Sequence, residues 1–559
     1  STEAVMKSGI LRCIIISAVS LVISAGSECR FAKNFECSDF FHGAKIEEYL
    51  NHVTQWEGKF AQPGVGYDSA SGYSYDGHPL DYQTGELYGE PHTFSAPSKE
   101  CVHVGLLALA LSGNHHALRF TEGFEKALDV LELKMDGYEQ FNKAYPGYGC
   151  FTPWVGFNAN GTFTPLESWS TPYYKVPGLD NGEWFWALYA VANALENAPQ
   201  TPRVTSLATR YRAIVDCQKA NAKTVFYRGN GDVSAVVNIL NAFIEPTVGN
   251  YEEESGLLND PYEGETMTQL IYLFGEWESE EERNQLWVNK RGLFQKLDYT
   301  VPDSVGAPYA GKNVTVQEGF WFSTHEQWKA LLLPYYTPEL DIVRRVFRNA
   351  EVVRTFDAYA SGSPGLLASI NDVTDGSEDI PDYISAAGIP GISWQEIDRR
   401  DVITPYGSFG LMLHNLTAGL CWYNNMLRGP RMQSKFGSTE AINVNGTEIS
   451  PLTTWDSKIT TVLGMLGGVG PIVQKALMQE NDVIAKAVAA INTNKDNNKD
   501  NNKDLKLSFS SSYERFVYVV KREHEMLFGT GPLPGEDFPL MLPSNSVPSN
   551  QLSDWELSC

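Results

Sequence analysis

The sequence lacks the features that mark metal-binding, nucleic-acid-binding and membrane-spanning proteins. Its eight cysteines form no Cys-x-x-Cys pair, and no His/Cys cluster has zinc spacing, so neither a metal nor a cofactor is predicted. Lys and Arg number 43 against 68 Asp and Glu, and the net charge of −25 opposes binding to nucleic acid. Beyond residue 27, no apolar run is long enough to cross a membrane.

The chain is instead rich in acidic and aromatic side chains. Aromatic residues make up 12% of the chain, and the hydrophobic fraction of 43% is ordinary for a folded protein. Aromatic faces stack on the C–H faces of sugars, and carboxylates accept hydrogen bonds from hydroxyl groups. The composition therefore favours a neutral, polar ligand, and sugars are the first class to consider.

The N-terminal residues have the pattern of a secretion signal. Lys7 and Arg12 precede an apolar stretch over residues 14–23, and small residues follow at 25–27. We expect residues 1–27 to be a signal peptide with a short N-terminal extension, and the mature protein to be extracellular and free of the membrane. Four Asn-x-Ser/Thr sequons agree with this route: Asn160, Asn313, Asn415 and Asn445. Removing Cys13 leaves seven cysteines, so one is free or pairs outside the chain.

Six positions along the chain resemble the start of a helix that is apolar on most sides. They lie near Ser98, Asp180, Asp260, Ser323, Tyr406 and Asp456. Most alternate with amphipathic helices, and a helix that is apolar all round is buried while an amphipathic one covers it. This pattern predicts an all-α fold, an (α/α)6 barrel formed by one large domain. Strand-like alternation is scarce, with one hairpin expected near residues 441–451.

The domain is expected to cover residues 28–491. A Lys/Asp/Asn-rich tract at 492–504 predicts a disordered insertion. Residues 505–531 should form a last segment against the barrel, either a hairpin or a helix. Residues 532–559, rich in Pro and Ser, should form an extended tail.

Inner helices of such a barrel run in one direction, so acidic residues at their starts should meet at one mouth. These residues are Asp180, Glu183, Glu263, Glu265 and Asp456. Each can instead serve as a helix cap or first-turn acid, and Asp456 in particular suits an N-cap. Carboxylates forced together repel, which raises the pKa of the most enclosed group. A protonated acid beside an ionised partner is what glycoside hydrolysis requires.

Several motifs together resemble the endo-β-1,2-glucanases of glycoside hydrolase family 162. The matching segments are Tyr75–Asp81, Ser98–Glu100, Asp260–Glu265, Gly388–Ile392 and Trp455–Ser457, and the resemblance covers most of residues 35–490. A weaker similarity to bacterial family 144 runs through Asp180 and Glu183. The resemblance implies an (α/α)6 barrel, a β-1,2-glucan or oligosaccharide substrate, and inverting hydrolysis of internal bonds without a metal.

Carried over to this chain, the resemblance makes Glu265 the general acid and Asp456 the general base, with Glu263 as a rival to Glu265. The residues expected to bind substrate are Asp180, Glu183, Glu263, Glu100, His103, Trp321, His325, Tyr406 and Trp455. Glu100 and His103 can instead pair with each other, and His325 can be a local hydrogen-bonding residue. Another polysaccharide-degrading enzyme on the same barrel, or a non-catalytic secreted glucan-binding protein, remains as an alternative. A monomer is expected.

Overall fold

The computed structural model describes residues 29–92, 94–158, 162–377, 382–480 and 509–557. The predicted signal peptide, the sequon at Asn160 and the predicted insertion at 492–504 lie outside these residues.

Helices are the longest elements of the described chain, and fifteen of them are α-helices. They are α1 (Gly43–Glu57), α2 (Pro97–Leu111), α3 (His115–Phe120), α4 (Phe124–Ala144), α5 (Gly178–Asn197), α6 (Pro202–Phe226), α7 (Glu265–Phe274), α8 (Glu280–Arg291), α9 (Lys329–Leu332), α10 (Asp341–Ser361), α11 (Phe409–His414), α12 (Leu416–Leu427), α13 (Thr460–Met465), α14 (Gly470–Gln479) and α15 (Ser512–Phe528). Tighter turns at Thr324–Gln327 and Pro405–Ser408 precede α9 and α11, and a π-turn at Trp455–Ile459 leads into α13.

The most buried helices contact one another in a closed order. Helix α2 packs on α5, and α5 packs on α7 and α9. The turn at Thr324–Gln327, which leads into α9, contacts the turn at Pro405–Ser408 and α11. Helix α11 packs on α13, and both α13 and the π-turn at Trp455–Ile459 return to α2. Helices α2 and α5 are buried on nearly every side because their sequences are almost wholly apolar.

Hydrogen bonds join the N-terminal starts of these helices. Ser98 donates to Asp180 at 2.6 Å, linking the starts of α2 and α5. Lys99 lies 2.6 Å from Asp456, linking α2 to the π-turn. The hydroxyl of Thr324 donates to the carbonyl of Gly407 at 3.0 Å. The turn at Pro405–Ser408 contacts the π-turn at Trp455–Ile459, and Gly182 in the first turns of α5 lies against Met267 in α7. The predicted helix starts therefore lie at one end of the molecule.

The fold is mostly helical, but the expectation of an all-α chain is too narrow. Nineteen short strands in the described residues form sheets of two or three strands between the helices. They are Gly77–Pro79, Phe94–Ser95, Val155–Phe157, Phe163–Pro165, Tyr174–Pro177, Tyr227–Gly229, Asp232–Val233, Val236–Ile239, Tyr251–Glu253, Lys296–Thr300, Asn313–Gln317, Ile370–Asn371, Tyr383–Ile384, Val402–Ile403, Gln433–Ser434, Gly437–Ser438, Ala441–Asn443, Ile449–Ser450 and Leu452–Thr454. Segments this short carry too few alternating residues for a period of two to be recognised. The hairpin expected near 441–451 is confirmed, because Ala441 pairs with Ser450.

The C-terminal part of the described chain packs on the helical body. Residues 512–528 form helix α15, which resolves the choice between hairpin and helix. The tail after it has no regular elements, yet Val547 and Trp555 are buried in an apolar cluster with Trp422. The tail is therefore anchored to the helical body.

Two disulfides, Cys37–Cys421 and Cys150–Cys217, join segments that are distant in sequence. Cys101 is the free thiol among the described residues, and it is buried. No single helix in the described ranges is long and apolar enough to span a membrane. The bent pair formed by Trp455–Met465 and Gly470–Gln479 passes that test by length and composition alone, and much of it is core.

Candidate active site

Glu265, the predicted general acid, lies at the first position of α7 and is completely buried. Its carboxylate forms an ion pair with Lys329 Nζ at 2.8 Å, and Lys329 is also fully buried. Its other oxygen accepts a hydrogen bond from the Tyr335 hydroxyl. The rings of Tyr262 and Phe347 lie beside the ammonium group of Lys329. Glu265 is thus enclosed by partners from its own protein, and this geometry argues against its predicted role.

Glu263 lies two residues earlier, in the turn before α7, and its surroundings are different. Asp260 caps this turn, since its carboxylate accepts from the backbone N–H groups of Tyr262 and Gly264. The carboxylate of Glu263 does not bond back to the backbone N–H of Asp260, so no capping box forms and Glu263 does not cap the helix. It is 7% exposed and makes no hydrogen bond or ion pair within the described chain.

An acidic cluster surrounds Glu263. Burial raises its pKa well above the ordinary value, and the negative charges of Glu183 and Asp260 add to that effect. Burial and the neighbouring charge of Asp180 likewise raise the pKa of Glu183. Burial, with the charge of Asp260, raises the pKa of Glu326 to about 8. The cluster therefore retains protons at a pH where exposed glutamates are all ionised, and the charge of each ionised member opposes ionisation of its neighbours.

A glycine makes this cluster possible. Gly182 lies in the first turns of α5 between Asp180 and Glu183. A Cβ at Gly182 would lie 2.5 Å from the backbone nitrogen of Met267 in α7, which is closer than atoms can approach. Only glycine lets α5 and α7 come this near, and their closeness brings Glu183 beside Glu263.

Asp456, the predicted general base, lies in the π-turn before α13 and is half-buried. The N-cap is Thr454, whose hydroxyl accepts from the backbone of Ser457, so the capping interpretation of Asp456 is unnecessary. Lys99 Nζ lies 2.6 Å from one carboxylate oxygen of Asp456. The same ammonium group is 3.7 Å from Asp76. Asp456 thus faces a cation, in contrast to Glu263.

The charges around Lys99 form a connected network. Although burial opposes its charged form, the carboxylates of Asp456 and Asp76 raise the pKa of Lys99 well above its ordinary value. His92 bonds to the far oxygen of Asp76 at 2.9 Å. Burial opposes ionisation of Asp76, but the bond from His92 and the charge of Lys99 lower its pKa overall. Glu440, held by the backbone and amide of Asn371, has its pKa raised to about 8 by burial and by the charge of Asp456.

Tyr406 lies near both Asp456 and Glu263. Burial raises the pKa of its hydroxyl, and the charges of Tyr383, Asp456 and Glu263 add to that shift. The hydroxyl accepts a hydrogen bond from Trp328 at 2.7 Å. Tyr406 is 3% exposed, so little of its side chain is open to a ligand.

Glu100 and His103 do not form the pair considered from the sequence. Glu100 is completely buried and accepts bonds from Lys134, Tyr138 and Ser74, which leave no open face for a ligand. The structure therefore contradicts its predicted sugar-binding role. His103 is also buried and stacks on Trp455 with ring centroids 4.2 Å apart.

Trp455 is itself completely buried, and its indole N–H donates to the carbonyl of Gly66. Burial lowers the pKa of His103 well below its ordinary value. His103 and Trp455 are therefore core residues of this structure, and their burial argues against the predicted sugar-binding role.

His325 and Trp321 lie near the acidic cluster and are only partly buried by their neighbours. The hydroxyl of Ser369 contacts His325 Nδ1 at 2.9 Å. Desolvation and the charge of Arg354 lower the pKa of His325 to about 3, so the ring is neutral. The Trp321 ring lies 5.6 Å from it. A neutral imidazole beside an indole suits recognition of an uncharged, hydroxyl-rich ligand.

Sequence reasoning missed four charged residues of this site: Asp76, Lys99, Glu326 and Glu440. Asp76 and Lys99 lie inside two of the motifs that carry the family resemblance, Tyr75–Asp81 and Ser98–Glu100. Those motifs could have identified both residues as candidates for the site. Glu326 follows His325 at a helix start. Glu440 lies in a loop before a short strand, and nothing in its local sequence distinguishes it.

The one group of potential metal ligands found among the described residues lies elsewhere. Glu47, His115 and His116 meet on the surface between α1 and α3. None of them belongs to the candidate site.

The chain matches known proteins over most of its length. The family model described as endo-beta-1,2-glucanase SGL, of glycoside hydrolase family 162, matches residues 73–509. No curated protein sequence matches the chain.

Solved structures of endo-β-1,2-glucanases are among those similar to it. An endo-β-1,2-glucanase from Talaromyces funiculosus in complex with sophorose is 37% identical, with 95% of this chain and 99% of that chain covered and a TM-score of 0.82. A glutamate-to-glutamine variant of the enzyme from that organism, in complex with β-1,2-glucan, is 37% identical, with 94% and 99% covered and a TM-score of 0.81. An endo-β-1,2-glucanase from Chitinophaga pinensis, in complex with sophorotriose and glucose, is 12% identical, with 77% and 95% covered and a TM-score of 0.53, which shows similarity of fold alone.

The family match spans well over half of the chain, and the Talaromyces structures share more than a third of its residues across nearly its whole length. The resemblance noted in the sequence is thereby confirmed. This chain belongs to the endo-β-1,2-glucanases of glycoside hydrolase family 162.

Proposed function

We propose that this chain hydrolyses internal β-1,2-glucosidic bonds of β-1,2-glucan with inversion, using Glu263 as the general acid and Asp456 as the general base. An inverting glycosidase needs one carboxyl group that donates a proton to the leaving oxygen and one carboxylate that activates water on the opposite face. The two groups therefore need different surroundings. Glu263 lies in an acidic cluster, whereas Asp456 lies beside the cation Lys99.

Glu263 carries this assignment, because its nearly buried carboxyl group has no partner and its pKa is raised. A general acid has to keep its proton until the leaving group takes it. Repulsion from Glu183 and Asp260 favours the neutral form of Glu263 and then assists return of a proton after each turnover. Glu265 lacks this freedom, since Lys329 and the Tyr335 hydroxyl occupy its two oxygens.

Asp456 has the opposite environment. Lys99 Nζ donates to its carboxylate from 2.6 Å away and holds it in place beside a positive charge. The bond from Lys99 goes to one oxygen, and the other accepts from the backbone N–H of Ser457 at 3.0 Å. Each oxygen retains a lone pair that can orient a water molecule.

The 3-hydroxyl groups of neighbouring rings crowd the bond in a β-1,2-linked chain. The proton can therefore travel directly from Glu263 or through a substrate hydroxyl. The proton that Asp456 takes from water can likewise pass directly or through a substrate hydroxyl.

The architecture that supports this site is, in our proposal, an (α/α)6 barrel. Contacts run in a closed order from α2 through α5, α9 with its preceding turn, α11 and α13 back to α2, and the ion pair of Glu265 with Lys329 joins α7 to α9. This is the order expected of an inner ring of six helices. Amphipathic helices such as α4, α6 and α10 pack outside this ring. The joined helix starts support a single mouth that contains both the candidate acid and the candidate base.

The remaining polar groups of the mouth suit sugar hydroxyls. Asp180 and Glu183 lie beside Glu263, and Trp321 and His325 line its other side. Carboxylates accept from hydroxyl groups, whereas the neutral His325 can donate or accept. A lyase needs a free cation to bind the carboxylate of a uronate. In the described mouth Lys99 is paired with Asp76 and Asp456, so the structure favours a hydrolase over a lyase.

The direct test is incubation of the purified chain with linear β-1,2-glucan. We expect short β-1,2-linked oligosaccharides, and proton NMR should detect the α anomer first at newly formed reducing ends. A linear β-1,3-glucan serves as the control substrate and should remain intact. Binding without any product would favour the alternative of a non-catalytic glucan-binding protein.

We also propose that the protein is secreted, glycosylated and monomeric. Asn313, Asn415 and Asn445 are exposed, as acceptor sites need to be. The side-chain oxygen of Asn415 caps α12 by accepting from the backbone N–H of Ala418. The side-chain nitrogen, which would carry the glycan, remains available. Mass spectrometry of protein recovered from the medium should find cleavage near Ser27 and glycans on some of these residues, and size-exclusion chromatography should give one subunit. An uncleaved N-terminus would contradict secretion by this route.

A further inference from the structure

The motif Gly388–Ile392 has no role in the chemistry above, but it holds a neighbouring segment of the site in place. The backbone N–H of Ile389 donates to the carbonyl of Trp321 at 3.1 Å. The backbone N–H of Trp394 donates to Gly319 at 2.9 Å, and that of Gln395 donates to Phe320 at 2.7 Å. A Cβ at Gly388 would lie 1.8 Å from the Trp321 carbonyl oxygen, so only glycine permits this contact. The loop is therefore fixed along residues 319–321.

This fixed loop presents a large aromatic side chain to solvent. Trp394 is 47% exposed, whereas most tryptophans of the described chain are buried. Its ring lies 5.1 Å from that of Phe320, and Phe320 lies 5.4 Å from Trp321. The three rings form a strip that starts beside His325 and ends at the surface. We call Phe320, Trp321 and Trp394 the aromatic strip.

The strip is continuous with the candidate active site. The backbone N–H of Trp321 donates to the Glu326 carboxylate at 2.7 Å. The negative charge of Glu326 contributes to the raised pKa of Glu263. The inner end of the strip thus lies near the candidate acid, and its outer end is Trp394.

We propose that Phe320 and Trp394 form an outer binding subsite for glucosyl units of β-1,2-glucan. This inference rests on the proposed function. An endo-acting enzyme binds several sugar units on each side of the bond it cleaves, so the chain has to continue beyond the catalytic pair. Exposed aromatic surface is costly in water, and its burial by the C–H face of a sugar recovers that free energy. The backbone bonds of the loop hold Trp394 ready for this contact, which limits the entropy lost on binding.

The strip predicts a dependence on substrate length. A long glucan reaches Trp394, whereas the shortest cleavable oligosaccharide occupies only the subsites nearest to Glu263 and Asp456. Losing about 50 Å² of apolar contact should raise the KM for the polymer about five- to tenfold, with kcat changed less than about twofold. The kcat/KM for the shortest substrate should stay within about twofold of wild type.

The experiment compares Trp394→Ala, Trp394→Tyr and the control Phe243→Ala on long and short substrates. Phe243 is also an exposed aromatic residue, but it lies in a loop next to Tyr145 and Tyr174. We expect Trp394→Tyr to recover most of the affinity and Phe243→Ala to behave as wild type. A polymer KM unchanged in Trp394→Ala would overturn the subsite. An equal loss on both substrates would also overturn it, because it would indicate general damage to the site.

A binding measurement separates this inference from the proposed activity. Affinity electrophoresis of the full chain in gels with β-1,2-glucan requires no turnover. Retardation that Trp394→Ala reduces supports the subsite even if the wild-type chain proves inactive. Retardation that Trp394→Ala leaves unchanged counts against the subsite even if the enzyme is active.

Discussion

Glu263 and Glu265 are separated by one residue, yet their carboxyl groups have opposite surroundings. Both are nearly or fully buried. Glu265 has a cation at 2.8 Å and a tyrosine hydroxyl, and these partners satisfy its negative charge. Glu263 has no partner and is surrounded by other acids. Burial alone therefore does not distinguish a structural carboxylate from a chemical one, whereas the sign of the neighbouring charge does.

This comparison has a physical basis in the cost of burying charge. A buried ion has to be paired or neutralised, because desolvation costs several kcal/mol. At Glu265 the protein supplies Lys329, so the ion pair becomes part of the core. At Glu263 no cation is supplied, so the group takes up a proton, which it can then donate.

The largest expected effect is that of Glu263→Gln. This substitution keeps the shape of the side chain and removes its proton, so kcat should fall about 10²- to 10⁴-fold. Circular dichroism and the melting temperature should remain close to wild type, since the Glu263 carboxylate makes no bond within the described chain. Initial rates on β-1,2-glucan provide the measurement.

Glu265→Gln is the matched control, measured per mole of folded protein. Its kcat should lie within a few fold of wild type. If the outcomes are reversed, with Glu265→Gln inactive and Glu263→Gln active, the assignment of the acid is wrong.

The second prediction concerns stability. Glu265→Gln leaves Lys329 buried without its counter-ion, and breaking a buried pair in this way costs about 3–5 kcal/mol. The melting temperature in scanning calorimetry should drop by several degrees. Combining Glu265→Gln with Lys329→Met removes the stranded charge and should recover at least half of the loss. Equal melting temperatures for Glu265→Gln and wild type would show that the pair contributes little.

The comparison also shows what the sequence could and could not predict. Helix starts were recognisable because caps and apolar runs are local signals. Their convergence followed from the expected architecture, and the bond between Ser98 and Asp180 agrees with it. The family resemblance supplied the substrate class and marked the segment containing both glutamates.

The choice between those glutamates depended on partners that are distant in sequence. Lys329 and Tyr335 lie more than sixty positions after Glu265, and no local pattern connects them to it. The same limit applies to Glu100, whose cation Lys134 lies on another helix. It also applies to Trp455, which a sequence alone cannot assign to the core or to the cleft. Asp456 was recognisable by its motif. That Thr454, and not Asp456, caps the turn could be seen only in the structure.

The third prediction tests the base through Lys99→Met. Loss of the ammonium group 2.6 Å away removes the hydrogen bond that holds the Asp456 carboxylate in place. A misplaced base activates water less well, so kcat on β-1,2-glucan should fall about tenfold. The control Lys175→Met breaks a more peripheral ion pair with Glu254 and should leave kcat unchanged. A wild-type kcat in Lys99→Met would remove Lys99 from the account of the base.

The smallest effect concerns the charge that Glu183 places on the acid. Glu263 has to be protonated to act, so kcat/KM should fall as the pH rises through its raised pKa. After burial, Glu183 is the leading cause of that shift, because its negative charge opposes ionisation of Glu263. In Glu183→Gln this repulsion is gone, the pKa of Glu263 decreases, and the basic limb should move to lower pH by about half a unit to one unit. The activity at the optimum can also fall if Glu183 binds sugar, but that change lowers the whole profile and does not shift its limb.

The control Glu254→Gln neutralises an acid outside the cluster and should leave the limb in place. A basic limb that stays fixed in Glu183→Gln, yet moves in Glu326→Gln, would identify Glu326 as the neighbour that raises the pKa of the acid.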